Sequence, residues 1–252
     1  MSEELLEVTT SKGITRLTMQ RGANAINEPL MEALCSAVAD QREGGAPPLL
    51  LASAHPTIFS PGWDLKRLYG AGRDEVGAFL ELFESLILDL FSYPGPTAAA
   101  VGGHAIAGGC LLAMACDVRI MAAGRARIGL SEINLGVPVP AGCVRMLTAR
   151  LGAAAAELIL QGDGFRVQKA AQLGVIQGVA VDRPVEDEAE RELYSLQLKS
   201  ARAYAEAKRS LFGESWEAAR RDAAAGVDTF IECWLEEDTQ DRIAGVVRRL
   251  ES

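Results

Sequence analysis

One glutamate, Glu132, stands in an otherwise mostly apolar run, Ile128-Gly129-Leu130-Ser131-Glu132-Ile133-Asn134-Leu135-Gly136. Most glutamates are exposed, and this one could simply belong to a capped turn that begins at Ser131. A carboxylate set among apolar side chains, however, is driven to a higher pKa and accepts protons more readily. Two glycine-containing segments offer its counterpart, a place for developing negative charge. The first is Phe59-Ser60-Pro61-Gly62-Trp63-Asp64-Leu65. The second, Gly102-Gly103-His104-Ala105-Ile106-Ala107-Gly108-Gly109-Cys110, runs into a predicted helix. Backbone N–H groups at a helix start lack intrahelical partners, and the helix dipole adds positive potential there. Such a place holds an anion or a forming oxyanion. The second segment is neither a dinucleotide fingerprint nor a phosphate loop. It lacks the G-x-G-x-x-G spacing, and no lysine follows Gly108 or Gly109. On its own it is equally consistent with a helix packed closely on a strand.

Other chemistries find little support. His55 and His104 are the only histidines, too few for a His-rich metal site. Ser60 and Ser131 have no evident histidine partner for a nucleophilic triad. Cys110 reads as a small core residue, since no basic neighbour would activate it. The net charge of −9 and the absence of a basic cluster argue against nucleic acid, which needs a concentrated Lys/Arg stripe. Five cysteines without a CxxC pair read as free thiols in a reducing compartment, and the expected location is cytoplasmic. No basic start followed by an apolar run marks a secretory signal. Residues 97–116 are apolar, but they are rich in Ala and Gly and contain His104. They read as strand, loop and helix rather than a membrane span.

The elements that position these residues follow from local pattern. Glu7–Thr10 and Ile14–Met19 alternate around Lys12-Gly13 as a hairpin does. Asn27 is placed to cap a helix that ends before Gly44-Gly45-Ala46-Pro47-Pro48. Leu49–Ala52, Ala98–Val101 and Val118–Met121 are short apolar runs suited to buried strands. Ser53–Gly62 and Gly102–Ala107 read as loops. Helices are expected to begin at Asp64 and to cover 74–91, 108–116, 144–150, 153–160 and 167–173. The chain beyond Glu186 reads as helical almost throughout. This order favours an α/β core, 1–185, with a helical region, 186–252.

Taken together, Asn24-Ala25-Ile26-Asn27, the two glycine segments, the Glu132 run and Leu173-Gly174-Val175-Ile176 resemble the crotonase, or enoyl-CoA hydratase/isomerase, superfamily. The resemblance implies a spiral of ββα turns followed by helices that help build a homotrimer or a hexamer of two trimers. It implies an acyl-CoA thioester substrate, with coenzyme A present only as part of that substrate, and no other cofactor, metal, nucleic acid or membrane. Trp63 and Gly108 match the backbone oxyanion-hole positions. Ala25, Ser60, Gly62, Asp64, Leu65, Gly109 and Leu111 fall around the substrate. Lys66, Arg67 and either Lys208 or Arg209 are candidates to meet the coenzyme phosphates. The Trp63 ring is expected to wall the acyl pocket or to pack on Tyr69.

Family hydratases carry two glutamates. Glu132 matches one of them, whereas Leu111 occupies the place of the other. Gly-Gly-Cys-Leu and Gly-Leu-x-Glu resemble the family's 3-enoyl-CoA to 2-enoyl-CoA isomerases, in which one carboxylate moves a proton from carbon 2 to carbon 4. The alternatives within the superfamily are a hydratase, a thioesterase or a decarboxylase. Outside catalysis the alternative is a binding member of the fold.

Overall fold

A computed structural model describes residues 5–251. Strands β1 (Leu6–Ser11) and β2 (Ile14–Met19) pair as an antiparallel hairpin. Its turn residues Lys12 and Gly13 both take positive φ, the twist a two-residue hairpin needs. Helix α1 (Glu28–Glu43) starts at Asn27, whose side chain accepts the Leu30 N–H at 3.2 Å. Three strand–strand–helix units follow. The first is β3 (Leu49–Ser53), β4 (Ile58–Ser60), a short α2 (Leu65–Leu68) and α3 (Arg73–Phe91). The second is β5 (Thr97–Val101), β6 (His104–Ile106) and α4 (Gly108–Ala115). The third is β7 (Val118–Ala122), β8 (Ile128–Gly129) and α5 (Glu132–Leu135). Then come α6 (Ala141–Leu151), α7 (Ala154–Leu160), β9 (Gly164–Phe165), α8 (Val167–Gln172) and β10 (Gly178–Ala180). Three helices close the chain: α9 (Val185–Gln197), α10 (Ala201–Leu235) and α11 (Glu237–Glu251).

Each unit gives its first strand to one sheet and its second strand to another. The large sheet runs β1-β2-β3-β5-β7-β10, and the small one runs β4-β6-β8-β9. The chain therefore winds as a spiral of ββα turns. Ala98 and Ala100 on β5, with Leu50 and Ile120 on its neighbours, pack under Val185, Ala189 and Leu193 of α9. Small side chains on the central strand let that helix lie close to the sheet. The main core includes α1, α3 and α4.

The segments expected to be loops at 53–62 and 102–107 contain β4 and β6. Two- and three-residue strands are too short to show alternation, which is why β8, β9 and β10 also escaped the pattern. The small sheet is made entirely of such strands.

Helix α10 packs on α3 and α6, and its first half is locked by a buried charge cluster. Lys208 Nζ lies 2.7 Å from Asp117 Oδ2, and Arg150 lies 3.1 Å from Asp117 Oδ1. The Tyr204 hydroxyl donates to the same carboxylate at 3.0 Å. Lys208 was a candidate for coenzyme phosphate, but it is only 4% exposed and spent on Asp117. The sequence shows a lysine on a polar helix, not the aspartate 91 residues earlier that claims it. All five cysteines are free. Among the described residues no helix is long and apolar enough to cross a membrane.

Candidate active site

The small sheet brings the chemistry together. Strands β4, β6 and β8 are adjacent and parallel, with Ser60 opposite Ala105 and Ile106 opposite Gly129. Their carboxyl ends therefore lie side by side. Trp63 follows β4 by three residues, Gly108 follows β6 by two and Glu132 follows β8 by three. Register alone delivers three distant segments to one edge, and carboxyl ends of parallel strands are where ligands commonly sit.

The two glycine segments touch. A Cβ placed on Gly62 would lie 3.0 Å from the Gly108 nitrogen. Ala107, between β6 and α4, takes φ 52° and ψ −125°, a conformation L-residues rarely adopt. Its N–H is held by Gly129 O at 2.9 Å, so the strain is imposed by the sheet. The kink makes Gly108 the first residue of α4, where its N–H has no carbonyl four residues back. On the other segment, the N–H of Gly62 goes to Ser60 Oγ at 3.2 Å and that of Asp64 to Ile26 O at 2.8 Å. Trp63 lies between them in an isolated bridge to Ile26, so its N–H points to the opposite edge. These two backbone N–H groups lie where the two glycine segments meet, each beside the cavity that Glu132 also lines. Gly109 is needed as glycine, because a Cβ there would come within 2.2 Å of Ser60 O.

Glu132 opens α5 and is 8% exposed. Ser131 N–H donates to its Oε2 at 2.8 Å. Burial pushes its carboxyl up to about 7, although the N–H groups of Glu132 itself and Ser131 pull the other way. The α5 turn is closed by Gly136 in the left-handed region, φ 91°. Thr239 of α11, 1% exposed, fills the space a side chain at Gly136 would need. The C-terminal helix thus seats directly on the turn that carries the carboxylate.

Trp63, Gly108, Leu111 and Glu132 face one cavity of about 520 Å³. Its deep walls are Phe83, Val137, Pro140, Phe230 and Trp234, and its rim includes Leu65, Arg242 and Arg249. The chain is poor in aromatics, yet they gather here. The Trp63 ring lies 4.9 Å from Phe79, 5.4 Å from Phe83, 5.4 Å from Phe230 and 5.9 Å from Trp234, centroid to centroid. Such edge-on and tilted contacts add to the burial each ring brings. Trp63 does not pack on Tyr69, which is exposed.

The other expected residues stand behind or beside this cavity. Ser60 is fully buried, with its hydroxyl on Asn24 O at 2.8 Å, and it braces the loop. Asp64 caps α2 by accepting the Arg67 N–H at 3.2 Å. Ala25 precedes the Ile26–Trp63 bridge and is half-buried, outside the cavity wall with Gly62 and Gly109. Arg67 is paired with Glu28 and Glu75, and Lys66 donates to Leu250 O at 2.8 Å. Arg209 is exposed and pairs with Glu206. His104 Nδ1 accepts the Arg127 N–H at 3.3 Å, and His55 Nδ1 accepts from Thr57 and Ile58, so both rings support loops. Phe83, Phe230, Trp234, Arg242 and Arg249 were not anticipated. They come from helices whose apolar faces look alike in sequence, and only tertiary packing selects the turns that meet the cavity.

The sequence pattern of the Enoyl-CoA hydratase/isomerase family matches residues 9–251. The chain belongs to this family. Among relatives, it is 37% identical over 170 residues to the Mus musculus mitochondrial enoyl-CoA hydratase domain-containing protein 2, covering 66% of this chain and 57% of that one. It is 34% identical over 190 residues to the Mus musculus mitochondrial methylglutaconyl-CoA hydratase, covering 74% of this chain and 60% of that one. The chain thus spans less than two thirds of either relative's length. In structure, it matches human mitochondrial delta3-delta2-enoyl-CoA isomerase with a TM-score of 0.92 and 22% identity, over 98% of both chains. That similarity establishes the fold.

Proposed function

We propose that this chain moves the double bond of a 3-enoyl-CoA to the trans-2 position. The observation that carries the reading is that, among the described residues, Glu132 is the sole acidic one on the cavity wall, while Leu111, at the position that would carry a second carboxylate in a hydratase, stands on the same wall. The thioester oxygen accepts the N–H groups of Trp63 and Gly108. Glu132 removes the proton from carbon 2, and the electron pair passes into the conjugated dienolate, whose charge rests on the thioester oxygen. The resulting carboxylic acid gives the same proton to carbon 4. The carbonyl reforms, the C2–C3 double bond appears and Glu132 is again a carboxylate. Nothing is oxidised and no water is consumed. An apolar wall suits this sequence, because it keeps solvent from quenching the dienolate.

The second reading is hydration of a 2-enoyl-CoA, and the two hydratase relatives at 34–37% identity favour it. It requires a group that positions water. Among the described residues, Ser131 and Asn134 are the wall's neutral side chains able to accept a hydrogen bond, and Trp63 and Trp234 add indole N–H donors. The deciding experiment assays 3-enoyl-CoA isomerisation beside 2-enoyl-CoA hydration, for wild type and Glu132→Gln. Isomerisation that vanishes in the variant, with no hydration in either, supports the first reading. Hydration by the wild type overturns it. The coenzyme phosphates are assigned to the rim near Arg242 and Arg249. Assembly as a trimer, or a pair of trimers, belongs to the same proposal and is checked by light scattering.

A further inference from the structure

Glu84 is a second buried glutamate, 3% exposed, on the face of α3 next to Phe83. It is absent from the cavity wall, so it does not replace the missing second carboxylate. Its Oε1 accepts the Gly142 N–H, in the first turn of α6, at 2.7 Å. The approach depends on Gly142, since a Cβ there would lie 2.8 Å from that oxygen and 2.9 Å from Ala219 O of α10. Burial pushes the carboxyl up to about 7, and only the N–H groups of Gly142 and Cys143 pull it back. Arg220 lines the same surface pocket as Glu84 but pairs with Asp89 at 2.8 Å, and a carboxylate buried against backbone donors without an ion pair is costly. A leucine would fill the space without that cost.

What the arrangement secures is the junction of three helices that wall the cavity. Phe83 of α3 adjoins Glu84, Pro140 lies two residues before Gly142, and α10 brings Phe230 and Trp234. We propose that Glu84 is a positioning residue that fixes the acyl-chain end of the cavity, by holding the start of α6 against α3, and so sets affinity for longer apolar acyl groups. This rests on the reading that the cavity takes an acyl-CoA, but not on which reaction follows.

The test measures binding of coenzyme A, butanoyl-CoA and decanoyl-CoA by quenching of tryptophan fluorescence, to which Trp63 and Trp234 on the cavity wall contribute beside Trp216, in wild type and three variants whose folding is followed by circular dichroism. Glu84→Gln keeps an acceptor oxygen at the same reach. Glu84→Asp keeps the charge but falls one methylene short. Glu84→Leu removes the acceptor. The expected result is decanoyl-CoA affinity within about twofold of wild type for Gln, and lower by about tenfold or more for Asp and Leu, as an unmet buried N–H would give. Coenzyme A affinity should hold throughout, and butanoyl-CoA should lose less than decanoyl-CoA. If Leu does not fold, the Gln and Asp variants decide alone. Equal losses for all three ligands, a Gln variant as impaired as Asp, or an Asp variant equal to wild type would overturn the proposal. A wild type that binds decanoyl-CoA but does not isomerise 3-enoyl-CoA overturns only the function above. A wild type that binds no acyl-CoA overturns both.

Discussion

Asp117, with its side chain 10% exposed, and Glu132, 8% exposed, are both largely withdrawn from water, and their surroundings are opposite. Burial alone would raise the Asp117 pKa, but Lys208 and Arg150, by charge and hydrogen bonds, bring it below the ordinary value. Glu132 receives only backbone N–H groups, so burial prevails and its carboxyl rises to about 7. A compensated charge stays ionised and ties elements together. An uncompensated one sits near the balance point between acid and base, the condition for moving a proton in both directions at neutral pH. The fold spends its scarce buried cations on the structural site and withholds them from the cavity.

The largest effect is expected where that contrast is removed at the proposed base. Glu132→Gln keeps shape and hydrogen bonding but cannot accept a proton, and kcat should fall by about 10²–10⁴-fold. Steady-state isomerase kinetics at pH 8, with circular dichroism to confirm the fold, measure it. A variant retaining a tenth of the activity or more would mean that another group is the base. Breaking the compensated partner should act on stability instead. Lys208→Met removes one of the two cations on Asp117, leaving Arg150, and should destabilise by about 2–3 kcal/mol. Urea unfolding reads this directly. Loss of activity without loss of stability would place Lys208 in the reaction, against its 2.7 Å pairing with Asp117.

How these sites were legible in the sequence follows the same division. That Glu132, Trp63, Gly108 and Leu111 would face one cavity could be read because motif order and residue type survive without coordinates. The large-sheet strands β3, β5 and β7 were visible as continuous apolar runs. The small sheet was not, since β8 and β9 have two residues each. It is the small sheet that aligns the site. The Asp117–Lys208 pair was invisible for another reason: neither residue carries a local signal, and their meeting depends on where a 35-residue helix lands. Glu84 had no signal either, since a glutamate within a helix ordinarily faces water.

A stability titration sharpens the comparison at the next level down. A folded-state pKa of about 7 against an ordinary 4.5 means that folded Glu132 holds its proton more tightly than the unfolded chain does. That stabilisation is full below pH 4.5 and is lost as pH rises toward 7. Glu132→Gln has no such dependence. The variant should therefore gain on wild type by about 2–3 kcal/mol between pH 4.5 and pH 8, an upper value because the exposed cavity mouth screens the charge. Glu84 titrates in the same window but is common to both proteins and cancels in the difference. Asp117 works in the opposite direction: its stabilisation is present above its ordinary 3.8 and fades as pH falls.

The smallest effect is the pH dependence of the wild-type reaction. The proposed isomerisation begins with the carboxylate form, so on that reading kcat/KM should rise about tenfold per pH unit below about 7 and level off above it. The rise reports the free enzyme, so acyl-CoA binding groups with their own titrations enter only if they ionise in the same range. Neither histidine of the chain lies on the cavity wall. The profile should therefore show a single ionisation. Moving it needs a change in the surroundings of Glu132 alone. Leu111→Gln, which adds a hydrogen-bond donor across the cavity without a charge, should favour the carboxylate and shift the midpoint down by a fraction of a unit. A profile flat from pH 5 to 8 would place the Glu132 pKa near that of an exposed glutamate, and would erase the electrostatic difference between this site and Asp117.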